Sequence, residues 1–424
     1  MSRGTAYIIQ TSKLIAPFND PVTDVLVNQR PLGERQAEAL SELGFTVRRV
    51  AEMGEIPEED YPCLALTDDL YFNAATLREF LRVAQRAAGS AQCAVPKETA
   101  FSRIFMPLLA EESGEQIKFP LYWLKSPAPA EFHEAVIDIG EHKVPFTIPA
   151  HMRGAAEIVI PMSQRPLLQL SFAIDLLFAN VVCLHERFAE VLASRFRQTL
   201  LMLRAVSLKP ARLLSKMNRI GPGCEIHPTA WLEGAEIGAN VQIGANAVIR
   251  MSNIGDGCNI GDGSVVKHSV VGAGSVLFDD LTLGFAVCYP ETFLIHGPYH
   301  LSVFGRASAM FATILDDYRL DGKPIRLEMG GKLVAHPFPF MGSFIGHRTR
   351  VAGGSIISPG RSIPNDVLVF PSPGSVLSRV GEDLPRGVPL FIQNGGLEQF
   401  APTFSKPAVE RVLGEQVDAT TSVS

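Results

Sequence analysis

The chain has 424 residues, enough for two or three domains and an ample hydrophobic core. Its hydrophobic content of 46% and charged content of 19% are typical of a globular protein. The net charge of -6 argues against nucleic acid as a partner, because phosphate binding needs a concentrated basic surface.

Targeting and membrane signals are weak. The first residues lack the apolar core of a signal peptide. The most apolar run, Leu167 to Leu184, has Asp175 inside it, which favours a buried helix over a membrane span. The six cysteines lack the spacing of a zinc site and suit a reducing compartment. We therefore predict a cytoplasmic protein without a membrane span.

Short apolar runs alternate with amphipathic stretches up to about residue 110, which predicts an α/β layer. The predicted strands and helices of this layer are Ala6 to Gln10, Gly33 to Leu43, Phe45 to Val50, Cys63 to Leu66 and Ala74 to Ala88. Asp68 and Asp69 follow the third strand, at the rim where open α/β sheets bind ligands. These carboxylates could hold a metal ion or cap the loop and the next helix.

Residues 111–165 are rich in proline and irregular, and 167–217 form a mainly helical segment that we interpret as an arm between two domains. The arm ends in a basic run, which is typical of a solvated helix face.

A repeat of seventeen residues dominates the chain from Ile220 to Leu283. Aliphatic residues recur at intervals of six, six and five, at Ile220, Ile226, Leu232, Ile237, Ile243, Ile249, Ile254, Ile260, Val266, Val271, Leu277 and Leu283. Helical and two-residue periods do not give this pattern. It predicts a coil with three short parallel strands per turn and aliphatic side chains stacked inside. Chance clustering is the alternative.

The repeat loosens over residues 289–341, which are rich in His, Arg, Asp and aromatic residues, and resumes at Ile345. A polar excursion from a solenoid is where function is usually found. The chain ends in a polar tail that we expect to be disordered.

Several of these stretches resemble one family. The coil resembles the left-handed β-helix acyltransferases. Five segments also resemble parts of the bifunctional amino-sugar-phosphate acetyltransferase/uridylyltransferase. They are Lys209 to Arg212, VIRMSNIGDGCNIGDGSVV, His300 to Gly305, Tyr318 to Arg326 and MGSFIGHRTRVAGGSIISPG. This resemblance implies a nucleotidyltransferase-like α/β domain at 1–165, a helical arm at 166–217, a left-handed parallel β-helix at 218–384 with its excursion at 289–341, and a terminal segment at 385–424.

The resemblance also implies site residues. Acyl transfer needs a general base, and His300 matches the family's acetyl-transfer histidine. We expect Leu301 to slip inward and turn His300 outward to a groove. The candidates for substrate binding are His296, Asp317, Tyr318, Asp321 and Lys323, and the candidates for acyl-CoA binding are His347, Arg348 and Arg350. Loop hydrogen bonding, turn chemistry and ordinary surface positions are the alternative explanations for these residues.

The first domain departs from the family. The strand at Ala6 leads into TSKLIAPFNDP, which lacks the glycines that wrap nucleotide phosphates. Asp69 matches the family's magnesium-binding aspartate, so Mg²⁺ is expected only if this domain is active. We predict a fold that has lost nucleotidyl transfer. In the coil, Val303 replaces the tyrosine that follows the family's histidine.

Three functions remain open. The first is an acyltransferase that uses acetyl-CoA or another acyl-CoA and acts on an amino sugar, sugar phosphate or sugar nucleotide of the cell envelope. The second is a sugar-1-phosphate nucleotidyltransferase, and the third is a non-catalytic trimeric scaffold. A homotrimer is implied by the resemblance alone, because the family's acyl-donor sites lie between subunits.

Overall fold

A computed structural model describes residues 4–399, with gaps at 113, 128, 148–156, 194–198, 200, 204–208, 382–383 and 385–389. The chain forms two compact units, of which the first ends at Val369 and the second begins at Phe370. The first unit contains both an α/β part and the repeat coil. The predicted disordered tail lies outside the described residues.

The α/β part is built on a mixed sheet of six strands. Its strands β1 to β14 are Gly4–Ile9, Leu14–Ile15, Asp20–Pro21, Leu26–Val27, Arg30–Pro31, Phe45–Val50, Cys63–Thr67, Leu70–Phe72, Ala91–Pro96, Gln116–Leu124, His133–Val136, Glu141–Thr147, Glu157–Ser163 and Leu167–Gln169. The helices α1 to α5 are Leu32–Glu42, Ala74–Ala84, Ala100–Phe105, Pro107–Glu112 and Ala173–Ala193. The strand order of the main sheet is β11-β9-β10-β7-β1-β6, with β10 antiparallel to both neighbours.

The predicted α/β layer is therefore present, and the five predicted elements lie within a few residues of the observed ones. Local chemistry explains α2. The Asn73 side chain accepts a hydrogen bond from the Thr76 backbone N–H and caps the helix. Leu77, Phe80 and Leu81 follow at helical spacing and are buried. The likeness of this layer to a nucleotidyltransferase stays a prediction.

The coil has three faces of short parallel strands, and a helix, α6 (Pro210–Ser215), precedes it. The first face consists of Arg219–Ile220, Glu236–Ile237, Asn253–Ile254, Val270–Val271, Val287–Cys288, Val303–Phe304, Phe344–Ile345 and Ser362–Ile363. The second face consists of Glu225–Ile226, Gln242–Ile243, Asn259–Ile260, Val276–Leu277, Phe293–Ile295, Ala309–Phe311, Arg350–Val351 and Leu368–Val369. The third face consists of Trp231–Glu233, Val248–Arg250, Val265–Lys267, Thr282–Gly284 and Tyr299–His300, followed by the pair Ile314–Leu315 and Ile356–Ile357.

The predicted aliphatic residues stack inside this coil. Ile237 pairs with Ile254, and Ile254 with Val271, at steps of seventeen residues. Close stacking explains the glycines that follow them, because a Cβ on Gly272 would come within 2.4 Å of the Pro290 backbone nitrogen. The three parallel sheets confirm the predicted three-sided coil of hexapeptide repeats, and they are consistent with the left-handed β-helix that the resemblance implies.

The structure corrects the extent of the excursion. Predicted at 289–341, it occupies only 316–343, because paired coil strands continue to Leu315. Inward positions in the last complete turn are filled by Tyr299, Phe304 and Met310, all fully buried. The interval from Leu294 to Tyr299 is five residues where the preceding turns have six, and at Tyr299 and Phe304 aromatic side chains replace aliphatic ones. This change of spacing and residue type concealed the repeat.

The α/β part packs on the first face of the coil. On its central turns, the residues pointing outward are Val270, Val287, Val303 and Phe344, and all four are buried in the same hydrophobic core as the α/β sheet. Burial of apolar surface on this scale stabilises the contact. Helix α5, which we predicted as part of a connecting arm, packs in this same core.

Polar contacts also connect the α/β part with the coil. Asn180 on α5 is fully buried, and its Oδ1 accepts from the Asn28 backbone N–H at 2.6 Å. Its Nδ2 donates to the Leu26 and Leu176 carbonyls. The Asn28 side chain in turn accepts from Asn253 of the coil at 2.7 Å. Helix α5, the loop before α1 and the coil are thus joined through one network.

We expect Asn180→Leu to lower the free energy of unfolding by about 1–3 kcal/mol, because a buried N–H and a buried carbonyl would lose their partners. The matched control is Asn259→Leu on the second face, where the side chain is exposed and the change should stay within about 0.5 kcal/mol. Urea unfolding of both variants measures the difference. Equal effects would show that the Asn180 network contributes nothing to stability.

The second unit contains a hairpin of Leu390–Gln393 and Gly396–Gln399. Across the described part of the chain, no helix is both apolar enough and long enough to span a bilayer.

Candidate functional site

His300 lies on the third face, at the end of the strand Tyr299–His300. Alternation along the strand buries Tyr299 inside the coil, where its hydroxyl donates to the Ile295 carbonyl at 3.2 Å. The His300 side chain, 38% exposed, therefore faces outward, as we predicted. The reason differs from our expectation: Tyr299, and not Leu301, takes the inward position, and Leu301 packs against the core shared with the α/β part.

Asp317 orients the imidazole of His300. Its Oδ2 lies 2.9 Å from Nδ1 of His300. A carboxylate oxygen only accepts hydrogen bonds, so Nδ1 carries the proton and Nε2 presents a lone pair. This is the tautomer that a general base needs. Asp317 was predicted to bind substrate, and the structure places it beside the predicted base.

Gly284 leaves room for the imidazole ring. Gly284 lies on the turn before His300, and the two residues are paired on the third face. A Cβ at this position would come within 2.7 Å of Cδ2 of His300, far inside the contact distance of two carbon atoms. The absence of a side chain at Gly284 thus fixes where the ring can lie.

We expect Gly284→Ala to displace the ring and to lower the turnover of the reaction proposed below by at least about tenfold, because small errors in position are costly in catalysis. Gly54→Ala is the control, since its Cβ would meet only a glutamate oxygen at 3.7 Å. Steady-state kinetics of both variants, with thermal unfolding to check the fold, tests this. Unchanged turnover in Gly284→Ala would show that the ring position does not matter.

The His300–Asp317 pair borders a cavity of about 560 Å³. Most of the wall is apolar. The α/β part contributes Ile104, Phe105, Val144, Ile160, Phe178 and Val181. The coil contributes Phe285 and Leu301, and the excursion contributes Phe338 and Phe340. The polar wall residues are Lys267, His268, Thr282, His300 and Asp317. An apolar cavity of this size with a few convergent polar groups is typical of a small-molecule site.

A second histidine, His268, borders the cavity and forms a half-buried, uncharged pair with His185. His185 Nδ1 lies 2.7 Å from the Val181 carbonyl, which can only accept, so this nitrogen carries the proton. His185 Nε2 is then the acceptor for His268 Nδ1 at 3.0 Å. Burial and the neighbouring His185 lower the pKa of His268 to about 3. The pair therefore stays neutral at physiological pH.

His336 lies nearby, 5.7 Å from the Phe178 ring and 2% exposed. Burial lowers the pKa of His336 to about 4. The sequence assigned no role to this residue. Apolar residues around it in the sequence, such as Phe338 and Phe340, were the available signal that it packs inside.

Acidification should destabilise the fold through these histidines. Folding lowers the pKa of His268 and His336, so below about pH 6.5 these side chains bind protons in the unfolded chain but not in the folded one. The free energy of unfolding therefore falls as the pH is lowered from about 6.5 to about 4. The limiting slope is about 1.4 kcal/mol per pH unit for each histidine. We expect His336→Leu to flatten this slope in urea unfolding from pH 7.5 to 4.5, and His227→Leu, at an exposed site, to leave it unchanged. A slope unaltered by His336→Leu would contradict this assignment.

The other predicted substrate residues lie outside the cavity wall. His296 is exposed on a corner of the coil. Tyr318 packs its ring 5.2 Å from that of Phe340, which borders the cavity. Asp321 is paired with Arg319, whose guanidinium lowers the pKa of Asp321 to about 2. Lys323 is exposed on the same loop. Their role in substrate binding stays a prediction.

The predicted acyl-CoA residues are separated from His300. His347 is 4% exposed, so the expected surface position was wrong. Its Nε2 lies 3.1 Å from Asp20 of the α/β part, and its ring contacts Phe18 and Tyr289. Arg348 forms an exposed bidentate pair with Asp366, and Arg350 is exposed on the second face. None of the three borders the cavity described above.

The predicted metal ligand Asp69 is surrounded by protein donors. Its Oδ2 accepts from Lys13 Nζ at 2.5 Å and from Gln169 Nε2 at 2.9 Å, and its Oδ1 accepts from Thr67 Oγ1 at 2.6 Å. Mg²⁺ requires oxygen ligands in an octahedron, and here an ammonium group takes the cation's place. Among the described residues, no group of three or more His, Cys, Asp or Glu side chains could hold a metal ion. As arranged, these residues do not fit Mg²⁺. Of the alternative role, the next helix is capped by Asn73, whereas the loop after β1 is bonded by Asp68, whose Oδ1 accepts from the Thr11 backbone N–H at 3.1 Å.

Comparisons with known proteins were made by sequence and by structure. No protein-family profile matches the sequence, and no curated protein matches it. Several solved structures show local similarity. A mutant perosamine N-acetyltransferase from Caulobacter crescentus, in complex with CoA and GDP-perosamine, has 21% identity and a TM-score of 0.18, over 40% of this chain and 70% of the other.

Two further structures belong to the same comparison. The acetyltransferase domain of PglB from Neisseria gonorrhoeae, bound to acetyl coenzyme A, has 16% identity and a TM-score of 0.16, over 41% of this chain and 64% of the other. A hexapeptide transferase family protein from Anaplasma phagocytophilum has 14% identity and a TM-score of 0.15, over 48% and 93%. Similarities at this level establish neither a family nor an activity for this chain.

Proposed function

We propose that the chain is an acyl-CoA-dependent acyltransferase with His300 as general base and an amino sugar, sugar phosphate or sugar nucleotide as acceptor. The observation that carries the proposal is the pairing of His300 with Asp317 at the wall of a cavity. An oriented imidazole beside a space large enough for a substrate is the minimum that acyl transfer requires.

The reaction follows from this geometry. His300 Nε2 accepts the proton of the acceptor's amine or hydroxyl as that atom forms a bond to the thioester carbonyl carbon. The resulting imidazolium is stabilised by the Asp317 carboxylate through Nδ1–H. When the tetrahedral intermediate collapses, the carbon–sulfur bond breaks, and the proton moves from Nε2 to the leaving CoA thiolate. No metal ion or redox step is needed.

The loop that follows Asp317 carries further polar side chains. Tyr318 follows Asp317 directly, and Asp321 and Lys323 lie on the same loop. Carboxylates bind sugar hydroxyls, and an ammonium group binds phosphate as a point charge. We therefore assign acceptor binding to this loop. A cell-envelope pathway and a homotrimer are parts of the same proposal.

The alternative of nucleotidyl transfer is disfavoured by one contact. Lys13, which comes from the glycine-free loop after β1, forms an ion pair with Asp69, whose side chain is 1% exposed. A metal ion could bind Asp69 only after this lysine had left.

A thiol-release assay tests the proposal. The protein is incubated with acetyl-CoA and a panel of amino sugars, sugar phosphates and sugar nucleotides, and free CoA is measured against blanks without acceptor. We expect acceptor-dependent CoA release. Pyrophosphate release from nucleotide triphosphates with sugar 1-phosphates, without CoA release, would overturn the proposal in favour of nucleotidyl transfer.

A further inference from the structure

We infer that the group this protein transfers is an acyl chain longer than acetyl, and that the chain lies in the apolar cavity beside His300. The inference rests on the proposed function, since it names the class of donor for the same site. It stands on the composition of the cavity wall, which the sequence did not reveal.

The wall does not suit a sugar. A sugar buried there would leave hydroxyl groups without partners, and each unpaired polar group costs free energy. Among the wall residues that the structure describes, five are polar, and two of these, His300 and Asp317, are bonded to each other. His268 is similarly bonded through Nδ1 to His185. The acceptor is therefore expected on the polar side, at the loop that follows Asp317.

The wall suits an alkyl chain. Phe105 and Phe178 lie 4.4 Å apart between ring centroids and form a buried aromatic surface. Phe338 and Phe340 form a second surface on the excursion, 6.2 Å apart. An acetyl group has one methyl carbon and could contact only a fraction of this surface. A longer chain buries further methylene groups, and each one strengthens binding by about fourfold when fully buried.

The position of His300 and Asp317 sets the direction in which the bound acyl chain extends. His300 borders the same cavity as the aromatic residues, so a thioester carbonyl near Nε2 can extend its alkyl chain along the apolar wall. The carbonyl stays beside His300, near Lys267, because Lys267 pairs with Gly284 and Gly284 pairs with His300 on the third face. The cavity then acts as a selector of chain length.

The test compares acyl-CoA donors of two, four, eight and twelve carbons with one acceptor. We expect kcat/KM for octanoyl-CoA to exceed that for acetyl-CoA by at least about 100-fold, which is less than the limit for six fully buried methylenes. A cavity-filling variant, Val144→Trp, should lower the ratio of the octanoyl to the acetyl kcat/KM by at least about tenfold. Val144 is 42% exposed, so a larger side chain can be accommodated without disturbing a packed core.

Val136→Trp is the matched control. It also lies on a strand of the α/β part, is 39% exposed and does not border the cavity, and it should change neither rate. Equal rates for acetyl-CoA and octanoyl-CoA, unaffected by Val144→Trp, would overturn this inference and leave the proposed function intact.

A binding measurement tests the acyl-chain site separately from the proposed function. Calorimetry with the His300→Gln protein measures donor binding when chemistry is blocked. Tighter binding of octanoyl-CoA than of acetyl-CoA, lost in Val144→Trp, supports the chain site even if no acceptor is found. Absence of CoA release with every donor and acceptor, despite such binding, would overturn the proposed function alone. Binding that depends on the CoA part and not on chain length would overturn the chain site.

Discussion

His300→Gln is expected to lower the rate of acyl transfer by about 10²- to 10⁴-fold, the usual contribution of a positioned general base. Glutamine keeps a polar side chain of similar length but cannot take a proton from the acceptor. Because His300 is partly exposed and its neighbour Tyr299 fills the coil, the fold should survive the substitution. CoA release measures the rate, and circular dichroism with thermal unfolding checks the fold.

The control for this variant is His227→Gln. His227 lies on an early turn of the coil, is exposed, and does not border the cavity. Its substitution should leave turnover within about twofold, because exposed side chains outside the site contribute little. Wild-type turnover in His300→Gln would rule out the base assignment.

Asp317→Asn is expected to lower the rate by about 100-fold. The asparagine amide can donate to Nδ1 of His300, which favours the tautomer with the proton on Nε2, where the lone pair is needed. The imidazolium formed during the reaction also loses its negative partner. Asp317→Glu, which restores a carboxylate on a longer side chain, should recover part of the rate. Steady-state kinetics across pH 6–9 measures both effects.

A matched control is Asp321→Asn on the same loop. Asp321 is exposed and paired with Arg319, so this variant should affect acceptor KM at most and leave kcat unchanged. If Asp317→Asn raised only the acceptor KM as well, Asp317 would be a substrate-binding residue, as the sequence alone suggested, and not the partner of His300.

The coil was predictable because its cause is local. Each turn repeats after seventeen residues, and each inward position needs an apolar side chain, so the sequence carries the periodicity directly. The prediction was wrong from Tyr299 onward, because the interval between inward residues shortens there and a tyrosine replaces an aliphatic residue. Asp317 follows His300 by seventeen residues, close to one turn of the coil, and this spacing was a usable signal that the two residues lie near each other.

The cavity was not predictable, because it forms between distant segments. Phe105, Phe178 and Phe338 come from two helices and a loop, and their common wall depends on how the α/β part packs against the coil. The face of the coil that packs against the α/β part could have been predicted from the sequence. On the first face, outward positions are polar at Glu236 and Asn253 but apolar at Val270 and Val287. An apolar outward position on a coil indicates a covered surface.

The first domain shows why the departures from a family matter. The loop after β1 lacks glycine, and the structure uses it to place Lys13 against Asp69. Sequence reasoning predicted a loss of nucleotidyl transfer from the missing glycines. The lysine supplies a physical reason of its own, because it takes the position that a cation would need.

A crystal structure with a non-hydrolysable octanoyl-CoA analogue tests the central claim most directly. We predict that the carbonyl carbon of the analogue lies within reach of an acceptor atom hydrogen-bonded to His300 Nε2, with its alkyl chain against Phe178 and Phe338. An analogue bound away from His300, with the cavity empty, would contradict the account.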